Sequence, residues 1–204
     1  MDRFEFLSGV LAAAAAAASP APSASPSIGP WDLCDKSTAL PYDHPLDFKL
    51  EVLDGPDFEL SKYRGTSVLI NIFATWCGPC NHEQPALVAA AQKYAASGLA
   101  VIGVNSAEQD DDVRRYRKKY GITYPIAMDR RGGMVRALEV GTSDKHEMFP
   151  VSLFIDPDGY LYCMQIGGMG ADELTYRIER FLAAAPPSTI RTETPSPSPP
   201  SRRR

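Results

Sequence analysis

The stretch that decides the fold is Ser67-Val-Leu-Ile-Asn-Ile-Phe-Ala-Thr-Trp-Cys-Gly-Pro-Cys80. Residues 67–73 form an apolar run of strand length, the pattern of a strand buried on both faces. The segment after it, Cys77 to Ala96, reads as a helix with Leu87, Val88, Ala91 and Tyr94 on one stripe. Cys77 and Cys80 therefore lie where a buried strand hands over to a helix. Free backbone N–H groups and the helix dipole favour a thiolate at such an N-terminus. Cys80 follows one turn later, close enough to close a disulfide, and helical spacing predicts that it is the more buried and less acidic of the two. The pair thus has an attacking and a resolving member.

Working outward, residues 48–53 alternate as a strand, Gly55-Pro56 is a turn, and Phe58-Glu-Leu60 returns as a hairpin. Leu99 to Val104 is a second buried strand, and Asp111 to Tyr120 is a helix ending at Gly121. A short strand at 125–128 and a short helix at 133–138 precede a strand at 151–155. The turn Asp156-Pro-Asp-Gly159 leads into its partner strand at 160–166, and a helix covers 172–184. The order β-β-β-α-β-α-β-α-β-β-α predicts an α/β fold: a mixed sheet with helices on both faces and an extra N-terminal hairpin.

Composition separates this body from its ends. Ten of the 18 prolines lie before Trp31 or after Ala185, so residues 31–185 are expected to form one domain. Residues 1–30 resemble a signal peptide and linker. An apolar stretch rich in alanine is followed by small residues suited to cleavage near Ala18 to Ala24, although Asp2 and Glu5 offset the positive charge usual at such a start. The stretch is too short for an ordinary spanning helix, and no lipobox-like cysteine follows it. The alternative is a disordered leader. The tail from Pro186 to Arg204 is rich in Pro, Ser and Thr and reads as disordered. The net charge is −4, and no basic stripe of a nucleic-acid binder is present. Arg114, Arg115, Arg117, Lys118 and Lys119 follow Asp110 to Asp112 in the order that suits a helix dipole, which predicts a solvated helix face.

Other readings of the cysteine pair fit less well. A structural zinc site takes four ligands, and there is no second Cys-x-x-Cys. Covalent haem attachment needs histidine after the second cysteine, where Asn81 stands. A purely structural bridge would close too small a loop to restrict the chain much. The methionines 134, 148, 164 and 169 form no tight cluster, and His44, His82 and His146 are scattered. No metal site is expected, and no cofactor beyond the redox-active disulfide.

The residues Leu69 to Pro85, with Trp76-Cys-Gly-Pro-Cys80 at their centre, resemble the thioredoxin superfamily and, within it, the extracytoplasmic TlpA/ResA branch of thiol-disulfide reductases. The resemblance extends over about residues 46–185 and implies a three-layer thioredoxin-like sandwich. Asn71 stands where thioredoxins carry a buried Asp. Glu83 and Pro85 match the branch's Glu-x-Pro, which implies a carboxylate able to assist proton removal from Cys80. Pro150 matches the family's cis-proline, beside which the backbone of Phe149 would pair with an extended substrate. Trp76, Gly78 and Pro79 would contact substrate as well. Two departures bear on substrate choice: Val151 replaces a frequent Thr, and the approach at 141–148 is polar and long.

The resemblance implies an oxidoreductase that reduces protein disulfides outside the cytoplasm, for example in cytochrome c maturation or copper-site assembly. It would act as a monomer recharged by a membrane thiol donor, with membrane contact only through an uncleaved leader. In this fold a Cys34–Cys163 bridge would staple the N-terminal arm to an outer strand, nominally worth ~4–5 kcal/mol in the chain-entropy model. Two independent buried thiols are the alternative. A peroxiredoxin-like peroxidase shares the fold, but its Pro-x-x-x-Thr-x-x-Cys setting is absent. A non-enzymatic thiol-based metal chaperone is the third reading.

Overall fold

The computed structural model describes residues 44–137 and 149–185. The expected leader, the linker with Cys34, the approach at 141–148 with His146 and Met148, and the tail lie outside them. Strand β3 (Ser67–Phe73) is buried along its whole length, as its apolar run requires. It pairs in parallel with β4 (Leu99–Ser106), in the register Leu69 to Val101 and Phe73 to Asn105. On its other side it pairs antiparallel with β6 (Val151–Ile155), with Asn71 opposite Ser152. With β1 (Lys49–Val52), β2 (Phe58–Glu59), β5 (Ile126–Asp129) and β7 (Leu161–Ile166), the seven-stranded order is β2-β1-β5-β4-β3-β6-β7. The sheet is mixed and the hairpin β1–β2 is antiparallel. Leu60, expected to extend that hairpin, opens a 3-10 turn (Leu60–Tyr63) and is buried there.

Helices α1 (Gly78–Tyr94) and α2 (Asp110–Tyr120) are the crossovers from β3 to β4 and from β4 to β5. Both crossovers step the same way across the sheet, so a common handedness places both helices on one face. They pack there with α4 (Ala171–Ala184) around Leu87, Tyr94, Val113, Tyr116, Ile178 and Phe181. The short α3 (Gly133–Ala137) contributes Met134 to the opposite face, with Leu60, Ile70, Val104 and Leu153. Within α1 the buried side includes Cys80, Glu83, Gln84, Leu87, Ala90 and Tyr94, whereas Val88 and Ala91 of the expected stripe are half-buried. The stripe is rotated because two polar residues lie on the inner face. The helix continues through Pro85. The basic residues of α2 lie on its outer side as expected: Arg114 pairs with Asp54 at 2.8 Å and with Asp111 at 2.9 Å.

The turn between β6 and β7 anchors the start of the domain. Asp156 Oδ1 accepts from the N–H groups of Asp158 (3.0 Å) and Tyr160 (2.8 Å). Gly159 adopts a left-handed φ of 93°, and its carbonyl accepts from Leu46 N–H at 2.8 Å. The Arg64 guanidinium lies over it and donates to Leu46 O at 2.8 Å. A Cβ on Gly159 would fall 2.2 Å from Arg64 Nη1. Gly159→Ala is expected to destabilise the fold by about 1–3 kcal/mol, from the positive φ and the displaced arginine together. Chemical denaturation measures this as a lower midpoint at unchanged slope.

Candidate active site

The site sits at the carboxyl end of β3, where the chain turns out of the sheet into α1. Ala74 O accepts from Cys77 N–H at 3.2 Å, closing a tight turn at 74–77. Cys77 is the N-cap of α1, in extended conformation, and its Sγ accepts from Cys80 N–H at 3.1 Å. Asn81 N–H reaches Cys77 O at 3.1 Å. A sulfur held there faces the positive end of α1 and the donor that would stabilise its anion. Cys77 and Cys80 form a disulfide, S–S 2.07 Å. They are almost equally buried, 4% and 2% exposed. Cys80 is the more buried, as helical spacing predicts, but the margin is too small to separate the two sulfurs. What distinguishes them is position, N-cap against first turn.

Glu83 lies one turn beyond Cys80 and is 1% exposed. Three distant parts of the chain surround it. Asn71, from the middle of β3, donates through Nδ2 to Glu83 Oε2 at 3.2 Å. The same amide reaches Ser152 Oγ on β6 at 3.0 Å. Met169 N–H, from the loop before α4, reaches Glu83 Oε1 at 3.4 Å. Burial raises the Glu83 carboxyl to about 7, against the smaller opposing pull of the Met169 and Asn71 donors. A carboxyl so placed can both take up and release a proton near neutral pH. Its neighbour Gln84 is also buried: it donates to Tyr124 Oη and accepts from Tyr116 Oη at 3.4 Å.

The Phe149–Pro150 peptide bond is cis. Pro150 is buried, and its carbonyl accepts from Gly167 N–H at 2.8 Å. Phe149 is half-buried and meets the ring of Trp76 edge-on, centroids 6.1 Å apart. Trp76 is 57% exposed, and Gly78 and Pro79 are exposed too. Two aromatic rings and an exposed Gly-Pro thus rim a buried disulfide. Gly168 completes the rim: a Cβ there would lie 3.2 Å from Pro79 O, so glycine lets the loop close on α1.

The structure brings together Trp76, Cys77, Gly78, Pro79, Cys80, Glu83, Phe149 and Pro150. Cys163 lies apart on the edge strand β7, is 5% exposed and is disulfide-bonded; its expected partner Cys34 is outside the described residues. Sequence reasoning missed Ser152, Gly168 and Met169. Only the run Gly167-Gly-Met-Gly170 hinted at close backbone approach, and nothing local marked Ser152. His82 is exposed. Among the described residues no three or more His, Cys, Asp or Glu side chains cluster as metal ligands. No helix among them is long and apolar enough to cross a membrane.

The AhpC/TSA family model matches residues 42–163, more than half of the chain. The chain belongs to the AhpC/TSA family. Within this family it is similar to the thiol-disulfide oxidoreductase ResA of Geobacillus kaustophilus, 32% identical over 133 residues, 65% of this chain and 73% of the relative. It is also similar to the thioredoxin-like protein YneN of Bacillus subtilis, 32% identical over 136 residues, 65% of this chain and 75% of the relative. The crystal structure of a putative thiol:disulfide interchange protein DsbE from Chlorobium tepidum superposes with a TM-score of 0.60 at 28% identity, covering 70% of this chain and 95% of that one. This AhpC/TSA-family chain is a ResA/DsbE-type thiol-disulfide oxidoreductase on a thioredoxin-like fold.

Proposed function

We propose that the protein reduces disulfides in protein substrates outside the cytoplasm. The Cys77 thiolate attacks a substrate disulfide; one substrate sulfur leaves as a thiolate and the other is joined to Cys77. Cys80 then gives its proton to Glu83 and attacks the Cys77 sulfur. The second substrate thiol departs and the Cys77–Cys80 disulfide forms, so two electrons have passed to the substrate. Phe149, beside Pro150, offers backbone to an extended substrate segment, and Trp76, Gly78 and Pro79 form the contact surface. No cofactor is needed beyond the cysteine pair. A thiol donor at the membrane returns the electrons, and apocytochromes or copper-site thiols are suitable targets.

The single observation that carries this reading is the buried Glu83, held by Asn71 and Met169 one turn from the resolving cysteine. A base there serves resolution, a step that a peroxidase without a resolving pair or a metal chaperone does not require. Gly78-Pro79 matches the thioredoxin dipeptide, and thioredoxin sits near about −270 mV. The extracytoplasmic placement draws on the signal-peptide-like leader. Cys34 and Cys163 are proposed as the bridge that such an oxidising compartment permits. An equilibrium titration of the Cys77–Cys80 couple tests the direction of the reaction. A potential near about −270 mV is expected; one near about −120 mV would make the protein an oxidase.

A further inference from the structure

The loop after β4 carries a carboxylate that the chemistry above does not use. Glu108 is half-buried and receives three hydrogen bonds. Thr75 donates twice, from its N–H to Oε2 at 2.6 Å and from its hydroxyl to Oε1 at 2.5 Å. Asn105 Nδ2 donates to Oε2 at 2.6 Å. Thr75 lies inside the tight turn that ends on Cys77, and it is held from its other side too. Its carbonyl accepts from Asn81 Nδ2 at 3.4 Å, and Asn81 Oδ1 accepts from Tyr120 Oη at 3.0 Å. The residue before the exposed Trp76 is thereby pinned at N–H, hydroxyl and carbonyl.

Two unfavourable features accompany this arrangement. Asn105 is fully buried, and its Oδ1 is the one buried side-chain polar atom among the described residues with no hydrogen-bond partner. Leaving an acceptor unmet in the interior is costly. The amide is oriented so that its donor serves Glu108 at the expense of its acceptor. Ala107, just before Glu108, adopts a left-handed φ of 58°, which disfavours a residue with a Cβ. Both features lie beside the carboxylate that contacts Thr75.

We propose that Glu108 is a positioning residue for the Cys77–Cys80 couple. It fixes the turn that presents Trp76 and Cys77, and its negative charge opposes the Cys77 thiolate at the same helix end. An anion near a second anion disfavours it. A less stable thiolate makes the dithiol a better electron donor, so Glu108 keeps the couple reducing. The inference rests on the reductant reading of the site and extends it to a residue 31 positions from Cys77 in sequence.

The test compares the full wild-type chain with Glu108→Gln and Glu108→Asp. Two quantities are read: the equilibrium of the couple with dithiothreitol, and the pH dependence of Cys77 alkylation by iodoacetamide in the reduced protein. Glu108→Gln is expected to shift the equilibrium about tenfold toward the dithiol, about 30 mV, and to move the alkylation midpoint to lower pH. Glu108→Asp, which keeps the charge, is expected to stay within about threefold of wild type. If Glu108→Gln lowers only the melting temperature, or if Gln and Asp shift the couple alike, Glu108 does not tune it by charge and the proposal fails. Should Glu108→Gln not fold, Thr75→Val removes one of the three contacts but keeps the charge; it is expected to stay within about threefold of wild type, and a shift of about tenfold toward the dithiol overturns the proposal. A wild-type couple as oxidising as a dedicated disulfide oxidase overturns the reductant reading instead, while the variant comparison still reports on Glu108.

Discussion

Glu83→Gln is expected to lower disulfide-reductase turnover about a hundredfold and to remove the rise in rate near neutral pH. General-base assistance is typically worth ~10²–10⁴ in rate, and the lower end applies because water can carry some of the proton. With the Glu83 carboxyl at about 7, the base form grows in through neutrality in the wild type. Glutamine has no such titration. Insulin reduction followed from pH 5.5 to 8.5 measures both the loss and the shape; an unchanged profile would remove Glu83 from the mechanism.

The same substitution has a stability consequence of opposite sign. The carboxyl titrates at an ordinary value near 4.5 in the unfolded chain and at about 7 in the fold. Between those values the folded state keeps a proton that the unfolded state has released. Stability therefore falls as pH rises through that window, and above about 7 the full cost is present. A shift of this size corresponds to about 3 kcal/mol. Glu83→Gln does not carry this cost, although its amide cannot accept from both Asn71 and Met169, a loss of about 1 kcal/mol. The oxidised variant is thus expected to be slightly less stable than wild type at pH 5 and about 2 kcal/mol more stable at pH 8. Urea denaturation at the two pH values decides this. A variant less stable at both would mean that Glu83 is not buried as a costly carboxylate.

Cys80→Ser is expected to reduce multiple turnover by more than about a thousandfold and to accumulate a mixed disulfide through Cys77. Resolution by Cys80 is intramolecular, and effective molarities for such well-placed groups reach ~10⁵ M. External thiol at millimolar concentration cannot replace it. Non-reducing electrophoresis with mass identification of the trapped species reads the result. Cys77→Ser should trap nothing, since Cys80 lies one turn inside α1, away from the N-cap position that favours a thiolate. Equal trapping by both variants would refute the assignment of attacking and resolving roles.

The fold was legible because its strands are local statements. An apolar run such as Ser67–Phe73 can lower its free energy only by burial on both faces, and the alternation of such runs with helical periods leaves few topologies. Cys77 and Cys80 were legible for the same reason, since they belong to a short pattern at a strand end, whereas Pro150 was reached through the family resemblance. The inner face of α1 was not. A stripe drawn through Leu87, Val88, Ala91 and Tyr94 assumes that polar residues face water, yet Glu83 and Gln84 face the sheet. They are tolerated because their partners Asn71, Met169, Tyr116 and Tyr124 arrive from other elements.

By itself, then, the sequence determined the element order and the cysteine pair at a helix start, and its resemblance pointed to the proline that is cis before β6. The tertiary structure alone decided what surrounds them. Glu83 titrates near 7 because folding removes water from it, and its two donors come from 12 and 86 residues away. The Glu108–Thr75 contact spans 33 residues and likewise leaves no local mark. Desolvation and long-range hydrogen bonding are properties of the packed chain, and no window of sequence carries them.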